Sequence, residues 1–238
     1  MMISGHRGAA ALAPENTLAS VRKAAESGVS WIEVDTQLSL DGVPIVFHDE
    51  TLNRCSNGKG KVADHTMAQL KTLDAGQWFS PAFKGETIPT LEELLDTCLA
   101  LDLSLNLELK IHHRHQIEPL VKAVVTLIQQ KAFPVDKLIF SSFEKEALEH
   151  CQALWPEVRR GFICEVWNGY SLDSLKSLDL YSIHIDHHIL TPTIADSIKA
   201  AGLVLKIWTL NTPSKADRFF KMGVDNIITD KPDQFQVC

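Results

Sequence analysis

The sequence predicts an α/β fold: a single (β/α)8 barrel, or TIM barrel, that takes up residues 1–238. Its 238 residues are close to the ~250 of a typical barrel of this kind. Short β-rich runs alternate with amphipathic helical patterns along the chain, which indicates a parallel sheet with crossover helices. Eight of those runs are spaced for such crossovers. A doubly wound open sheet is the alternative, but no G-x-G-x-x-G pattern follows any strand.

The predicted strands are short runs rich in apolar and β-branched residues. In chain order they are Met2–Gly5, Trp31–Asp35, Ser104–Lys110, Lys137–Ser142, Arg160–Cys164, Ser182–Asp186, Val204–Thr209 and Asn226–Thr229. The predicted helical segments are Asn16–Ser27, Thr90–Leu101, Ile117–Gln130, Phe143–Leu154, Ser171–Ser177, Pro192–Ala201 and Pro213–Met222. A capping box, Thr90-Leu-Glu-Glu93, opens the second helix. Gly28, Gly202 and Gly223 stand where helix C-caps need a residue of positive φ.

One strand-like run does not fit the parallel barrel. Val43–Phe47 follows the second strand after too few residues for a parallel crossover, which needs about a dozen or more. The intervening Leu40-Asp41-Gly42 is a turn signal, so Glu33–Leu38 and Val43–Phe47 are expected to form a hairpin. We therefore predict an insertion at residues 37–89, between strand 2 and helix 2 and over the barrel mouth.

Composition limits the partners and the compartment. The net charge of −7, from 23 Lys+Arg against 30 Asp+Glu, argues against nucleic acid as a partner. No uninterrupted apolar run of about 18 residues occurs, so no membrane span is expected. No signal peptide is visible, and the five cysteines are scattered without a C-x-x-C pair, so reduced thiols and a cytoplasmic location are expected. The sequence leaves open whether the chain forms a homodimer.

Three acidic residues fall at the ends of two predicted strands, where a barrel of this class has its active site. Glu33 and Asp35 lie two apart, so both project to the same face of the strand, and Glu108 ends the third strand. Such an all-oxygen set suits one hard divalent cation, Mg²⁺ or Ca²⁺. The alternative is that the carboxylates form salt bridges inside the barrel with Arg7 or Lys110.

Two histidines and two cations accompany these carboxylates. His6 ends the first strand and His48 ends the returning hairpin strand, and imidazoles suit paired acid and base roles near neutral pH. Arg7 and Lys110 supply the positive charge that holds phosphate oxygens. Because no Walker loop, kinase signature, G-x-S-x-G or H-E-x-x-H occurs, the pattern predicts phosphoryl transfer to water without a nucleotide.

An ordered set of motifs is similar to a known family. The motifs are His6-Arg7-Gly8, Pro14-Glu15-Asn16-Thr17, Glu33-Val34-Asp35, Asp41-Gly42-Val43-Pro44-Ile45-Val46-Phe47-His48-Asp49, Glu108-Leu109-Lys110, Ser142-Phe143, Trp208-Thr209-Leu210-Asn211 and Thr229-Asp230-Lys231-Pro232. In order and spacing they resemble the glycerophosphodiester phosphodiesterases, in their cytoplasmic bacterial form. The resemblance covers nearly the whole chain. It departs from the family at Ala9-Ala10-Ala11 and Leu38-Ser39-Leu40, neither of which carries the chemistry.

The resemblance implies a barrel that hydrolyses a small-molecule glycerophosphodiester to sn-glycerol 3-phosphate and an alcohol. It implies one divalent cation, Mg²⁺ or Ca²⁺, and gives each matched position a role. These are Glu33, Asp35 and Glu108 as metal ligands, His6 and His48 as the acid–base pair, Arg7 and Lys110 as phosphate contacts, Trp208 as the aromatic that packs on glycerol, and Phe143 as a pocket wall.

Some alternatives stay open at this point. A lysophospholipase D acting on lysophospholipids would use the same core with an apolar rim; the insertion offers Trp78, Phe79 and Phe83 for it but no long apolar loop, and Trp78 is expected to be a packing residue. A non-catalytic phosphodiester-binding protein would keep only the fold. The preferred head group, the identity of the acid and of the base, and attack by water or by the glycerol 2-hydroxyl are equally undecided. Glu15 is expected to anchor Arg7 or to cap a helix. His184 and Asp186 are expected in the pocket, and residues 112–115 in a solvated loop.

Overall fold

A computed structural model describes residues 2–167 and 172–235. Nine strands lie within them: β1 Met2–His6, β2 Trp31–Leu38, β3 Pro44–Val46, β4 Ser104–Leu109, β5 Leu138–Ser142, β6 Arg159–Cys164, β7 Ser182–Asp186, β8 Val204–Trp208 and β9 Asn226–Thr229. All except β3 pair in parallel, and β1 pairs with both β9 and β2, so the sheet closes on itself. The predicted (β/α)8 barrel is confirmed.

Helices connect the strands on the outside of the barrel. The α-helices are α1 Leu18–Glu26, α2 Met67–Leu70, α3 Leu91–Ala100, α4 Ile117–Gln130, α5 Lys145–Leu154, α6 Pro192–Ala200 and α7 Ala216–Lys221. The predicted capping box is present, with the Thr90 hydroxyl accepting from Glu93 N and the Glu93 carboxylate accepting from Thr90 N. Gly28, Gly202 and Gly223 follow helix ends at φ of +81°, +76° and +85°.

The connection between β6 and β7 differs from the prediction. Ser171, the first residue of the helix predicted there, lies outside the described residues, and Leu172–Leu178 forms a 3-10 helix rather than an α-helix. The segment buries Leu175 and Leu178. Two leucines three residues apart face the same side of a helix with three residues per turn, so this short element covers the sheet as an α-helix would elsewhere.

Strand β2 presents apolar side chains to the helices and acidic ones to the barrel interior. In β2, Ile32 and Val34 belong to the main hydrophobic core, whereas the alternate residues Glu33 and Asp35 are buried carboxylates. The same alternation continues in β4. Because side chains of a strand point alternately to its two faces, the two-residue period of the sequence is what directs the acidic groups into the lumen.

The segment between β2 and α3 contains the predicted hairpin. β3 pairs antiparallel with β2, Thr36 lying opposite Val46. A second, smaller core forms here from apolar residues of the predicted insertion: Ile45, Phe47, Leu52, Cys55, Val62, Leu70, Ala75 and Ile88. This core supports the segment that ends at His48, because Phe47 is packed within it.

No helix in residues 2–167 or 172–235 combines the length and apolar character needed to cross a bilayer.

Candidate active site

A cavity of about 470 Å³ opens at the carboxyl ends of the barrel strands. Eight of the nine residues predicted for the site line it: His6, Arg7, Glu33, His48, Glu108, Lys110, Phe143 and Trp208. The ninth, Asp35, does not line the cavity and is 1% exposed, but it lies beside Glu33 and Glu108. This cavity therefore brings together residues that lie up to 202 positions apart in the chain (208 − 6).

The three predicted metal ligands form one buried cluster. β2 and β4 are neighbours in register, with Asp35 opposite Glu108. One oxygen from each of Glu33, Asp35 and Glu108 lies within 4.8 Å of the others. Three convergent carboxylate oxygens are the hard donors that Mg²⁺ and Ca²⁺ prefer, so the residues fit a divalent cation.

The electrostatics of the cluster favour such a cation. Burial, with repulsion from Asp35 and Glu108, raises the pKa of Glu33 well above its ordinary value. Burial and the Asp35 charge likewise raise the pKa of Glu108 to about 7. Burial alone would raise the pKa of Asp35 as well, but the charges of Arg7 and Lys110 outweigh it and hold that pKa below its ordinary value. Without a bound cation, the cluster therefore has too little positive charge to ionise fully at neutral pH.

Arg7 and Lys110 supply the positive charge that the protein itself provides. Arg7 Nη1 donates to Glu15 Oε1 at 2.6 Å, and Arg7 Nε lies 3.5 Å from Asp35 Oδ2. Lys110 Nζ donates to Glu108 Oε1 at 2.6 Å and lies 3.5 Å from Asp35 Oδ1. The salt bridges considered as an alternative are thus present, yet both cations also line the cavity, and the two interpretations coexist.

Backbone conformation brings Arg7 to the mouth. Its φ is +49°, and Gly8 follows at +85°. A Cβ on Gly8 would lie 2.6 Å from the Ser20 carbonyl carbon, so only glycine allows this close approach of the loop to α1. In the resulting turn, the Arg7 backbone N donates to Glu33 Oε2 at 3.2 Å. The glycine of the His6-Arg7-Gly8 motif has a steric role.

Each site histidine is held through Nδ1 by a carboxylate. His6 Nδ1 lies 2.6 Å from Asp230 Oδ1, and His48 Nδ1 lies 2.7 Å from Asp49 Oδ1. Such a pairing fixes the ring and leaves Nε2 of each imidazole for other partners. His6 Nε2 lies 3.8 Å from Glu33 Oε2. Burial lowers the pKa of His48 below its ordinary value, although Asp35 acts in the opposite direction.

The two orienting carboxylates are themselves fixed. Asn211 Nδ2 donates to Asp230 Oδ2 at 2.6 Å. Arg54 donates to both oxygens of Asp49, at 2.7 and 2.8 Å, and this hydrogen bonding lowers the pKa of Asp49 to about 2. Each imidazole is therefore held by a chain of two hydrogen-bonded residues: Asp230 and Asn211 for His6, and Asp49 and Arg54 for His48.

Glu15 connects this support to Arg7. Besides accepting from Arg7, it accepts from Arg54 Nη1 and Nη2 at 2.7 and 2.8 Å. The helix cap that was the alternative role for Glu15 is made by Thr17, whose hydroxyl accepts from Ser20 N. Glu15 is therefore an anchor for two arginines.

Sequence reasoning missed the partners of the histidines. Asp49, Asp230 and Asn211 stood within quoted motifs but received no role, and Arg54 was not singled out. A signal existed for Asp49, because an aspartate directly follows His48 at the strand end. For Asp230 the signal was topological: in a closed barrel the last strand neighbours the first, so residues that follow each of them meet.

The aromatic residues separate into two groups. Phe143 and Trp208 line the cavity, with ring centroids 5.8 Å apart in an edge-to-face contact. Trp78 and Phe79 are not among the lining residues and instead pack edge to face with each other and with Phe83. Trp78 therefore packs within the predicted insertion, as expected, and the alternative of an apolar rim formed by these aromatics finds no support in the lining of this cavity.

The remaining polar expectations are only partly met. His184 lines the cavity, as expected, but Asp186 does not. Asp186 Oδ1 accepts instead from the backbone N of His188 at 2.8 Å, which turns it to the loop that follows β7. Within residues 112–115, His113, Arg114 and His115 are exposed and His112 is half-buried, and none of the four lines the cavity.

Two carboxylate-held imidazoles, two cationic side chains and three buried carboxylates at the carboxyl end of a (β/α)8 barrel are features that suit phosphoric diester hydrolysis, and the chain belongs to that class of hydrolases. More narrowly, the chain belongs to the glycerophosphoryl diester phosphodiesterase family, whose model matches residues 6–234. The family expected from the motifs is confirmed.

Individual relatives agree with this assignment. A glycerophosphodiester phosphodiesterase of Caldanaerobacter subterraneus is 34% identical over 235 residues, which cover 98% of this chain and 95% of that protein. An Oleispira antarctica phosphodiesterase, solved in complex with the product sn-glycerol-3-phosphate, is 37% identical, with a TM-score of 0.95 over 99% of this chain and 95% of that one. A glycerophosphodiester phosphodiesterase from Agrobacterium tumefaciens is 31% identical, with a TM-score of 0.82 over 99% and 98%.

Proposed function

We propose that this protein hydrolyses glycerophosphodiesters to sn-glycerol 3-phosphate and an alcohol, by metal-assisted acid–base catalysis. The observation that carries the proposal is that two carboxylate-held imidazoles and the cluster of Glu33, Asp35 and Glu108 meet at one cavity. The product bound by the Oleispira antarctica relative is consistent with it.

Glu33, Asp35 and Glu108 are the proposed ligands of one divalent cation, Mg²⁺ or Ca²⁺. When bound, such a cation supplies Lewis-acid stabilisation of charge that develops on phosphoryl oxygens. Arg7 and Lys110 hold phosphate oxygens from the protein side. Both line the cavity, and both also lie 3.5 Å from an oxygen of the buried Asp35 carboxylate, so each is held in place at the site by a charge of the cluster.

His6 and His48 move the protons. One imidazole takes the proton of the nucleophile, and the other gives a proton to the oxygen of the departing alcohol, so that the P–O bond breaks as the new one forms. Asp230 and Asn211 keep His6 oriented, and Asp49 and Arg54 keep His48 oriented. Phe143 and Trp208 are the proposed wall against which the glycerol packs.

The test is a coupled assay of sn-glycerol 3-phosphate or choline release. The substrates are glycerophosphocholine, glycerophosphoethanolamine and 1-acyl lysophosphatidylcholine. We expect turnover of the two glycerophosphodiesters, loss of activity in EDTA, and recovery when Mg²⁺ or Ca²⁺ is added back. Titration with each ion separately identifies the preferred cation. Turnover that is indifferent to chelation contradicts the metal assignment, and inactivity on both glycerophosphodiesters contradicts the function.

The cytoplasm is the proposed location. The described cysteines, Cys55, Cys98, Cys151 and Cys164, are all buried and unpaired, as expected of a protein in a reducing compartment. Cys238 lies outside the described residues. Alkylation of the native protein and of the unfolded protein, followed by a thiol count, tests whether the cysteines stay reduced in cells, and size-exclusion chromatography tests for a homodimer.

A further inference from the structure

A second group of side chains that can bind a metal ion follows β7, outside the candidate active site. Asp186 is the last residue of β7, and His187 and His188 begin the segment that leads to α6. One ligand atom from each of the three lies within 4.8 Å of the others. None of the three lines the active-site cavity, so this group is distinct from the cluster of three buried carboxylates.

The ligand atoms are spaced nearly as a single tetrahedral ion requires. His187 Nδ1 and His188 Nδ1 lie 3.6 and 2.8 Å, respectively, from Asp186 Oδ1. With metal–ligand bonds of about 2.0–2.2 Å, the donors around a tetrahedral Zn²⁺ ion are about 3.3–3.5 Å apart. The two distances lie on either side of this range, so small side-chain rotations bring all three atoms to one ion.

Two of the three side chains are already held in place. Asp186 Oδ1 accepts from the backbone N of His188 at 2.8 Å. The His187 ring packs edge to face on Phe219 of α7, with centroids 5.9 Å apart. The His188 side chain is 73% exposed and can turn without disturbing the core. Little side-chain freedom is therefore lost when an ion binds, which favours binding.

The donor types of this group differ from those of the carboxylate cluster. The cluster offers oxygen alone, which suits Mg²⁺ or Ca²⁺. Two imidazole nitrogens with one carboxylate oxygen suit Zn²⁺, and three protein ligands leave a fourth position for water. We propose that Asp186, His187 and His188 bind one Zn²⁺ ion, in addition to the cation proposed for Glu33, Asp35 and Glu108.

The charges around the group are compatible with a divalent ion. Asp186 supplies one negative charge at the site itself. Lys215 is near enough for its positive charge to act on the His187 imidazole, but its side chain is exposed. Water and salt therefore screen the repulsion between Lys215 and the ion.

The position of the group gives the ion a structural effect. β7 pairs in parallel with β8, with Asp186 opposite Trp208. The Trp208 carbonyl oxygen accepts from the His187 backbone N at 3.0 Å and lies 3.2 Å from His187 Nδ1. An ion held here fixes the segment after β7 against the end of β8. Because it binds only the folded chain, it also stabilises the fold.

The first experiment measures Zn²⁺ affinity in saturating Mg²⁺, with a chromophoric chelator as competitor. His188→Ala is expected to weaken binding by more than about 10-fold, since even the loss of an outer partner of a metal site costs 10–100-fold. The carboxylate cluster is intact in this variant, so Zn²⁺ bound there contributes equally to both measurements. His115→Ala removes another exposed histidine and should bind as wild type. No binding, equal affinity in His188→Ala, or a loss confined to His115→Ala overturns the proposal.

The second experiment separates metal binding from hydrogen bonding. Asp186→Asn keeps an oxygen that can accept from the His188 backbone N but removes the negative charge. We expect Zn²⁺ affinity to fall by more than about 10-fold, with the Tm of the metal-free protein close to that of wild type. Asp196→Asn, at an exposed position of α6, is the matched control and should bind Zn²⁺ normally. Wild-type Zn²⁺ affinity in Asp186→Asn is incompatible with the proposed site.

The stabilisation is tested by thermal melts in Mg²⁺ with and without Zn²⁺. At a Zn²⁺ concentration about 100 times the dissociation constant, Tm of the wild-type protein should rise by about 5–10 °C. The rise should be absent in His188→Ala at the same concentration. The same Zn²⁺-dependent rise in both proteins assigns it to another site and overturns the inference.

A final measurement needs no variant. Crystals of the wild-type protein soaked in Mg²⁺ and Zn²⁺, with data collected at the zinc absorption edge, should show an anomalous peak between Asp186 and the two imidazoles. A zinc peak that occurs only elsewhere overturns the proposal even if a variant fails to fold. None of these readouts depends on catalysis, so their failure leaves the proposed function standing.

Discussion

His6 and His48 each use Nδ1 for one carboxylate, and this leaves Nε2 for the proposed proton transfers. His6 is held by Asp230 and His48 by Asp49, at 2.6 and 2.7 Å. Asp230 and Asp49 belong to different strand ends, so the two rings are supported independently. Removal of a ring and removal of its support should therefore have separable consequences.

The first prediction concerns the rings. His6→Ala and His48→Ala are each expected to lower kcat by about 10²–10⁴-fold, the usual worth of general acid–base catalysis. His115→Ala, a substitution of an exposed histidine outside the cavity, is the control and should leave kcat unchanged. Steady-state kinetics measures both. A His6→Ala protein with wild-type turnover contradicts the assignment.

The second prediction concerns the support of His6. Asp230→Asn removes the charge that orients the ring but keeps the shape of the side chain. We expect kcat to fall by about 10–10²-fold, as for other orienting partners, with KM nearly unchanged, because Asp230 is not among the residues that line the cavity. Asp233→Asn, in the same segment but exposed, should behave as wild type. If kcat/KM falls by the same factor because KM rises while kcat is unchanged, Asp230 does not have a positioning role.

Single elements place these residues by their own geometry. In β2 and β4, alternate side chains point to opposite faces of the sheet, so the carboxylates face the lumen and the aliphatic side chains face the helices. This arrangement does not depend on contacts with distant parts of the chain. The turn between β1 and α1 is different, since it depends on a contact between two elements. Ser20 of α1 accepts from Ala9 N at 2.8 Å and donates to the Arg7 carbonyl at 2.6 Å, and Gly8 makes that approach possible.

The third prediction tests this turn. Gly8→Ala places a Cβ 2.6 Å from the Ser20 carbonyl carbon in a residue of positive φ, so α1 and the turn must separate. We expect destabilisation by more than about 1–3 kcal/mol and a higher KM, because Arg7 moves. Gly28→Ala shares the positive φ but has open space around it, and it isolates the conformational cost. The free energy of unfolding of each variant is measured by denaturant titration. If Gly8→Ala is no less stable than Gly28→Ala, the steric role of Gly8 is refuted.

At the scale of the whole molecule, closure of the barrel concentrates charge. Glu33, Asp35 and Glu108, three of the 30 acidic residues in a chain of net charge −7, are buried together. Arg7 and Lys110 compensate the negative charge of Asp35. The raised pKa values of Glu33 and Glu108 indicate that the negative charges of these two carboxylates are not fully compensated. Metal binding should therefore act on the stability of the whole barrel as well as on the reaction.

The fourth prediction follows from the sign of these shifts. The folded protein without metal holds the proton of Glu108 up to about pH 7, whereas the unfolded chain releases it near its ordinary pKa of 4.5. This contribution to stability is full below pH 4.5 and is lost as pH rises through 7. In EDTA, Tm should therefore fall between pH 5 and about 8.

Divalent cation should reverse that fall, because it binds the ionised carboxylates of the folded state. Glu108→Gln removes one of two buried carboxyls whose pKa is raised, the other being Glu33, and should therefore reduce the pH dependence in EDTA. Thermal melts with EDTA and with added Mg²⁺ or Ca²⁺ test both statements. A Tm that is independent of cation for the wild-type protein at pH 8 would be incompatible with the proposed site.

Local patterns in the sequence account for the architecture and for most of the site. The strand–helix rhythm, the capping box at Thr90 and the glycines after helices are local signals, and the structure contains them. Eight of the nine predicted site residues line one cavity, since strand ends converge in any barrel. Less regular segments were harder to predict: Leu172–Leu178 is a 3-10 helix, because its conformation depends on neighbouring elements.

The sequence by itself determined the fold class, the family and the residue types of the site, because period-two strands and ordered motifs are local properties of the chain. Only the tertiary structure decided which groups act together. Asp230 meets His6 across 224 positions because β9 lies beside β1 when the barrel closes. Arg54 joins Asp49 to Glu15 because the segment after β3 folds against the turn after β1. The pairing of buried charges arises from packing in three dimensions, which no local pattern encodes.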